Sequence, residues 1–254
     1  MNSLPEGYRA LVIGATGAIG GALWQALAAD ARCGLALGLS RSAAPQVGGA
    51  AGPPRVDTSW RIDVTQEASV AAAAAALRPL GPWSVLVVAT GALHIEGPVQ
   101  VRPEKRLADI DPAALAASHA LNAIGPALVI KHFHDQLPLK ERALLAVLSA
   151  RVGSIGDNHK GGWYGYRSAK AALNMLLRTA SVEVTRRRPL AVLVALHPGT
   201  VRSALTAPVI GSGPDADAVS PEAAAQNLLR VLDTLPAEGA SGSFHAWDGQ
   251  TVPW

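Results

Sequence analysis

The chain has 254 residues, of which 49% are hydrophobic and 16% charged, a balance that supports one domain with a large core and excludes a disordered chain. The 25 glycines follow no three-residue repeat, and Cys33 is the one cysteine, which excludes collagen, an internal disulfide and a multi-cysteine zinc site and fits a reducing, cytoplasmic setting. With a net charge of +3 and scattered cations, no nucleic-acid partner is expected; the one basic run, Arg186-Arg187-Arg188 before Pro189, reads as a helix C-terminus at the negative end of its dipole.

Apolar runs of strand length alternate with helical patterns along the chain. The first, at 10–13 (ALVI), leads through a glycine-rich turn into a helical stretch ending near residue 29. The second lies at 35–39 (LALGL), and a weak third at 60–62 (WRI) follows a loop-like segment, 42–58, rich in Gly, Pro and Ala. A helical pattern at 65–77 contains the alanine run 71–76, and alanine is the strongest helix former. Further strands are expected at 85–88 (VLVV), 144–148 (LLAVL), 190–196 (LAVLVAL) and 242–246 (GSFHA). Strands that are apolar throughout are buried on both faces, and their alternation with helices implies right-handed βαβ units. The expected fold class is therefore α/β, a single doubly wound domain over residues 1–254 with a seven-stranded parallel sheet and a substrate loop at about 206–221.

Two uncharged stretches are long enough to test as membrane spans. The stretch 10–29 contains Gly14, Gly17, Gly20 and Gly21, and the stretch 112–130 contains Pro112, His119, Asn122 and Pro126, so no membrane partner is expected. The first also lacks the basic flank of a signal peptide. His132 and His134, two apart on a helix, do not share a face, and no metal site is expected.

Gly14-Ala15-Thr16-Gly17-Ala18-Ile19-Gly20 lies between the first strand and the first helix. Glycines there let the chain turn tightly and bring N–H groups up to a phosphate at the positive end of the helix dipole. The structural alternative is that they serve helix–strand packing alone. Where NAD-binding folds place an acid for the ribose, after the second strand, this chain has Ser40-Arg41-Ser42. A guanidinium there suits a 2′-phosphate, so NADP(H) is the preferred cofactor and NAD(H) a possible one; a solvated loop arginine is the alternative. Asp63, after the third strand, is placed to hydrogen-bond an adenine, or else it or Thr65 caps the next helix.

Two of the three tyrosines lie in 163–170 (WYGYRSAK), where Tyr166 and Lys170 are one helical turn apart. An ammonium beside a phenol favours the phenolate, so Lys170 is expected to lower the pKa of Tyr166 toward the range where it exchanges protons with a carbonyl or alcohol oxygen. Lys170 is also placed to hold the ribose hydroxyls of the nicotinamide. Taken alone, the two would read as a surface pair.

With these motifs in this order, the chain resembles the short-chain dehydrogenase/reductase superfamily over nearly its whole length, with a Rossmann domain and the interconversion of a carbonyl and an alcohol implied. The resemblance places the cofactor on Gly14, Thr16, Gly17, Ile19 and Gly20, on Arg41, on Asp63 and Val64, on Ala89-Thr90-Gly91 (usually Asn-Ala-Gly), on Tyr166 and Lys170, and on Pro198, Gly199 and Val201 of the Pro-Gly turn. It makes Tyr166 the proton donor and acceptor, Lys170 its partner, and Asn122 a link to Lys170 through water. The family's serine, usually second in a Ser-Ser or Ala-Ser pair, falls on alanine here, since the pair reads Ser149-Ala150. Ser149 is the first choice for that role and Ser154 the second, with a serine-less site the remaining alternative. The segments around 149–155 and 161–170 and the C-terminal 247–254 resemble C-factor-like proteins and related carbonyl reductases. Some of those are associated with cell signalling, which implies a second possibility, a nicotinamide-binding signalling or scaffold protein. A small carbonyl or alcohol substrate and a homodimer or homotetramer are the partners implied. The 206–221 loop, whose only charges are Asp215 and Asp217, gives no sign of a large anionic substrate.

Overall fold

A computed structural model describes residues 1–42, 45–50, 60–207 and 218–254. In chain order these residues form β1 (Tyr8–Ile13), α1 (Ala18–Ala29), β2 (Cys33–Leu39), β3 (Gln46–Gly48), α2 (Glu67–Leu77) and β4 (Val85–Val88). There follow α3 (Pro112–His119), α4 (Gly125–Phe133), β5 (Ala143–Leu148), α5 (Tyr164–Thr185), β6 (Ala191–His197), α6 (Pro221–Thr234) and β7 (Ser243–Ala246). The strands make one sheet in the order β3-β2-β1-β4-β5-β6-β7, parallel except for β3.

That exception corrects the expected all-parallel sheet. Residues 60–62 form no strand, although Ile62 N–H donates to the Ser40 carbonyl (3.0 Å). The third strand instead comes from Gln46–Gly48, inside the segment expected to be a loop, and runs antiparallel to β2. Glycine explains both the misleading composition and the strand: a Cβ on Gly48 would lie 2.7 Å from Ala28 Cβ, so only glycine lets this edge strand close on α1.

Residues of each central strand alternate between two cores. Leu11 and Ile13 of β1, with Leu145 and Val147 of β5, face the core that α2, α4 and α5 cover. Ala10 and Val12, with Leu144 and Ala146, face the core beneath α1 and α6. Side chains alternate along a strand, so burial on both faces requires the continuous apolar runs seen in the sequence. The parallel strands end level, with Ile13 beside Val88, Val88 beside Val147 and Leu148 beside Leu196. The strand order reverses between β1 and β4, which opens a crevice at the carboxyl ends of the strands.

Between α3 and α4 the helix passes through a π-turn, Ala120–Ile124. Pro126 has no N–H to offer the Asn122 carbonyl four residues back, and the Gly125 N–H reaches five residues back to Ala120. The helical run 112–136 is long and apolar enough to cross a bilayer, but Ala123, Val129, Ile130 and Phe133 pack into the core beneath it. At the end of α5 the basic run begins with Arg186 at the C-cap, and Arg188 donates to the carbonyls of Asp135 and Leu137.

Candidate active site

The floor of the crevice is the β1–α1 turn. Gly14 has φ +92°, and a Cβ there would lie 3.0 Å from the Ala89 backbone. A Cβ on Gly20 would lie 2.2 Å from the Gly14 carbonyl oxygen, whereas Gly17 meets only that oxygen, at 3.3 Å. Close packing therefore accounts for Gly14 and Gly20. Gly17 precedes α1, whose first turn has no side-chain cap, so its N–H groups end at the crevice with a positive partial charge.

The crevice is a cleft of about 970 Å³. Thr16, Gly17, Ile19 and Gly20 line it from the turn, and Ala89, Thr90 and Gly91 from the end of β4. Thr90 Oγ1 is buried without a hydrogen-bond partner among the described residues. Pro198, Gly199 and Val201 line it after β6; Gly199 has φ +77° and packs so closely on the Trp247 ring that a Cβ would lie 2.9 Å from it. Three expected cofactor residues lie outside this lining. Arg41 is exposed just past β2, whose Leu39 carbonyl accepts from Gly14 N–H and Ala15 N–H at 2.8 and 3.1 Å. Asp63 Oδ1 accepts from Thr65 N–H (3.0 Å) and the Thr65 hydroxyl (2.7 Å) in a local turn, and neither residue caps α2, whose N-cap position is Gln66 with no side-chain cap. Val64 is buried against Gly125, where a Cβ would lie 2.8 Å from it.

Tyr166 and Lys170 both reach the cleft from α5. Lys170 is 2% exposed, its Nζ lies 5.7 Å from the centre of the Tyr166 ring, and it donates to the Leu148 carbonyl at 2.8 Å. The pair is assembled, but its electrostatics run opposite to the expectation. Burial pushes the Tyr166 phenol up to about 12, and the same cause pulls Lys170 down to about 8. Both charged forms lose water in the same apolar wall, and that loss is the cause of both shifts.

Asn122 is fully buried in the π-turn and grips the backbone of Ala92, accepting its N–H at 3.0 Å and donating to its carbonyl at 2.9 Å. A Cβ on Gly91 would lie 3.0 Å from Asn122 Oδ1 and 3.3 Å from Lys170 Nζ, so both groups flank that glycine. Ser149 lines the cleft, but its hydroxyl donates to Asn174 Oδ1 at 2.7 Å. Ala150 lines the cleft beside it. Ser154 lies outside the lining, and its Oγ accepts from the Asp157 N–H at 3.1 Å.

Polar residues that escaped the sequence reading include Asn174 and His197. Asn174 is one turn beyond Lys170 on the same face, and that spacing was the available signal. His197 closes β6 and lines the cleft, with Nδ1 buried and unpartnered among the described residues; burial, with nearby Arg151, pulls its imidazole down to about 4, so it is neutral at working pH. His132 and His134 lie elsewhere, against Glu67 and the Ile130 carbonyl. Of the expected substrate loop, residues 208–217, including Asp215 and Asp217, lie outside the described residues.

The sheet order, the glycine turn beneath a cleft and the tyrosine–lysine pair on its wall define a dehydrogenase-type nucleotide fold, and the short chain dehydrogenase family profile matches residues 8–211. The chain belongs to the short chain dehydrogenase family of oxidoreductases. It is 40% identical over 152 residues to C-signal of Myxococcus xanthus, covering 58% of this chain and 83% of that protein. It is 32% identical over 193 residues to 1-hydroxy-2-glutathionyl-2-methyl-3-butene dehydrogenase of Rhodococcus sp. strain AD45, covering 76% of this chain and 78% of that protein. The NADPH-bound carbonyl reductase from chicken fatty liver superposes with a TM-score of 0.78 at 23% identity, covering 98% of this chain and 95% of that one.

Proposed function

We propose that the protein is a cytoplasmic, NADP(H)-dependent reductase or dehydrogenase that interconverts a small carbonyl compound and its alcohol, with Tyr166 carrying the proton. The observation that bears most weight is the convergence of the uncapped α1 N-terminus, the buried unpartnered Thr90 hydroxyl and the Tyr166–Lys170 pair on one cleft. These features fit a dinucleotide, with its phosphates on the N–H groups of the β1–α1 turn. Arg41 would contact the 2′-phosphate and the Pro198-Gly199 turn the carboxamide. NADPH and NADP are bound in the chicken enzyme and in a similar Burkholderia multivorans dehydrogenase/reductase. When bound, the cofactor supplies or accepts the hydride.

The chain's own residues handle the proton. In the reductive direction Tyr166, protonated up to about pH 12, donates its phenolic proton to the substrate oxygen. The Lys170 ammonium stabilises the phenolate left behind, and the low dielectric that perturbs both groups strengthens that attraction once the phenolate forms. Asn122 fixes the Gly91-Ala92 backbone beside Lys170 and links it to solvent through water. Ser149 helps hold the substrate oxygen. Its one proton is given to Asn174 Oδ1, while Asn174 Nδ2 has no partner among the described residues. A half-turn of that amide makes Asn174 the donor and frees the serine hydroxyl for the cleft.

The second reading, a nicotinamide-binding signalling protein with weak or no catalysis, draws on the likeness to C-signal and on the turned-away Ser149 hydroxyl. One assay separates the two: NADPH binding by fluorescence alongside NADPH oxidation with a panel of aldehydes, ketones and quinones. Turnover of any panel member supports the reductase. Tight binding with no turnover across the panel supports the second reading.

A further inference from the structure

The entrance to α5 is strained. Gly161, Gly162 and Trp163 all have left-handed φ values, +63°, +66° and +56°. The glycines adopt this region freely; Trp163 does not, and such a conformation persists only where the surroundings hold it. Trp163 also supplies no side-chain cap to α5, although it stands at the N-cap and its ring meets Tyr166 edge-on with centres 6.5 Å apart.

A residue remote in sequence holds this entrance. Glu104 is 7% exposed, and no cation pairs with it among the described residues. Both its carboxylate oxygens accept the Gly165 N–H, at 3.2 and 3.1 Å, and its backbone carbonyl accepts the Trp163 N–H at 2.5 Å. A Cβ on Gly165 would lie 2.8 Å from Glu104 Oε1, so glycine at 165 is what admits the carboxylate. Arg167 holds the other side of the turn, donating to the Gly161 and Gly162 carbonyls at 3.2 and 2.9 Å. A buried carboxylate without a paired cation costs folding free energy, and its oxygens here accept a first-turn N–H next to Tyr166, that of Gly165.

We infer that Glu104 is a positioning residue for proton transfer: by capping α5 at Gly165 and Trp163 it fixes the direction of the Tyr166 phenol. This rests on the reading of Tyr166 as the proton carrier. Glu104 does not itself line the cleft and meets its wall through the Trp163 N–H, so NADPH binding is expected to survive its replacement.

Glu104→Ala and Glu104→Gln test the inference, with Tyr166→Phe as the reference. Expected for Glu104→Ala is a kcat roughly 100-fold lower, the scale of a misplacement of about 1 Å. The NADPH Kd should stay within about twofold, and the solvent deuterium isotope effect on kcat should rise as proton transfer becomes rate-limiting. Glu104→Gln keeps an acceptor for Gly165 and should recover most of kcat. If Glu104→Ala does not fold, Gly165→Ala carries the test, since its methyl displaces the carboxylate, and the same split between kcat and Kd is expected. A wild-type kcat in Glu104→Ala, or a kcat that falls only in step with NADPH binding and with no change in isotope effect, overturns the inference. Turnover by Tyr166→Phe instead overturns the reading beneath it, so the two failures are distinguishable.

Discussion

Replacing Lys170 with methionine should stabilise the fold while removing activity. Burial holds Lys170 from its ordinary 10.5 down to about 8, which at 1.36 kcal/mol per pH unit is about 3 kcal/mol of folding free energy forgone at neutral pH. Methionine keeps an unbranched apolar stem in the same wall and removes the charge. Against this, the Leu148 carbonyl loses the donor now 2.8 Å away, at a cost of about 1 kcal/mol. The net gain is about 2 kcal/mol, or about 5 °C in Tm for a chain of this size. The gain must also depend on pH. A depressed folded-state value means that the unfolded chain binds more protons between about 8 and 10.5, so wild-type stability rises through that window and the penalty is complete below it. Thermal unfolding of both proteins at pH 7 and pH 10 reads the difference, because other groups titrate alike in each. The Lys170→Met advantage should be present at pH 7 and nearly gone at pH 10. A variant less stable by the same margin at both pH values would refute the reasoning, since the ammonium would then be a net stabilising group.

Other outcomes follow from the same geometry. Reduction should slow as pH rises through about 8, where Lys170 loses the charge that stabilises the phenolate; a rate level from pH 7 to pH 10 would remove that role. Arg41→Asp should shift the ratio of kcat/KM for NADPH over NADH by roughly tenfold or more toward NADH, and an unchanged ratio would remove Arg41 from the cofactor site. Gly20→Ala places a methyl 2.2 Å from the Gly14 carbonyl oxygen and should cost about 3 kcal/mol of stability with loss of NADPH binding, measured by denaturant unfolding and fluorescence titration.

Which parts of this molecule were legible in the sequence follows from how local their causes are. The buried strands were readable because burial on both faces demands continuous apolar runs, and 85–88 matches β4 residue for residue. The edge strand Gln46–Gly48 was not, because a glycine chosen for contact with α1 looks like a loop residue when only neighbours in sequence are considered. The meeting of Tyr166 with Lys170 was legible from helical spacing, yet their proton affinities were not, since these depend on the apolar wall the fold builds around them. Glu104 left no local sign because the N–H it caps lies 61 residues away. Ser149 could be named from its position after β5, but the direction of its hydroxyl depends on Asn174, a partner on another element.

Tyr166→Phe isolates the proton-carrying role of the phenol. The substitution removes one hydroxyl and leaves the ring against Trp163 and beneath Lys170. NADPH Kd and carbonyl-dependent NADPH oxidation should be measured side by side. Binding should stay within about twofold of the parent and turnover should fall by at least roughly 1,000-fold, the scale of a lost general acid. Near-parental turnover in that variant would contradict that role.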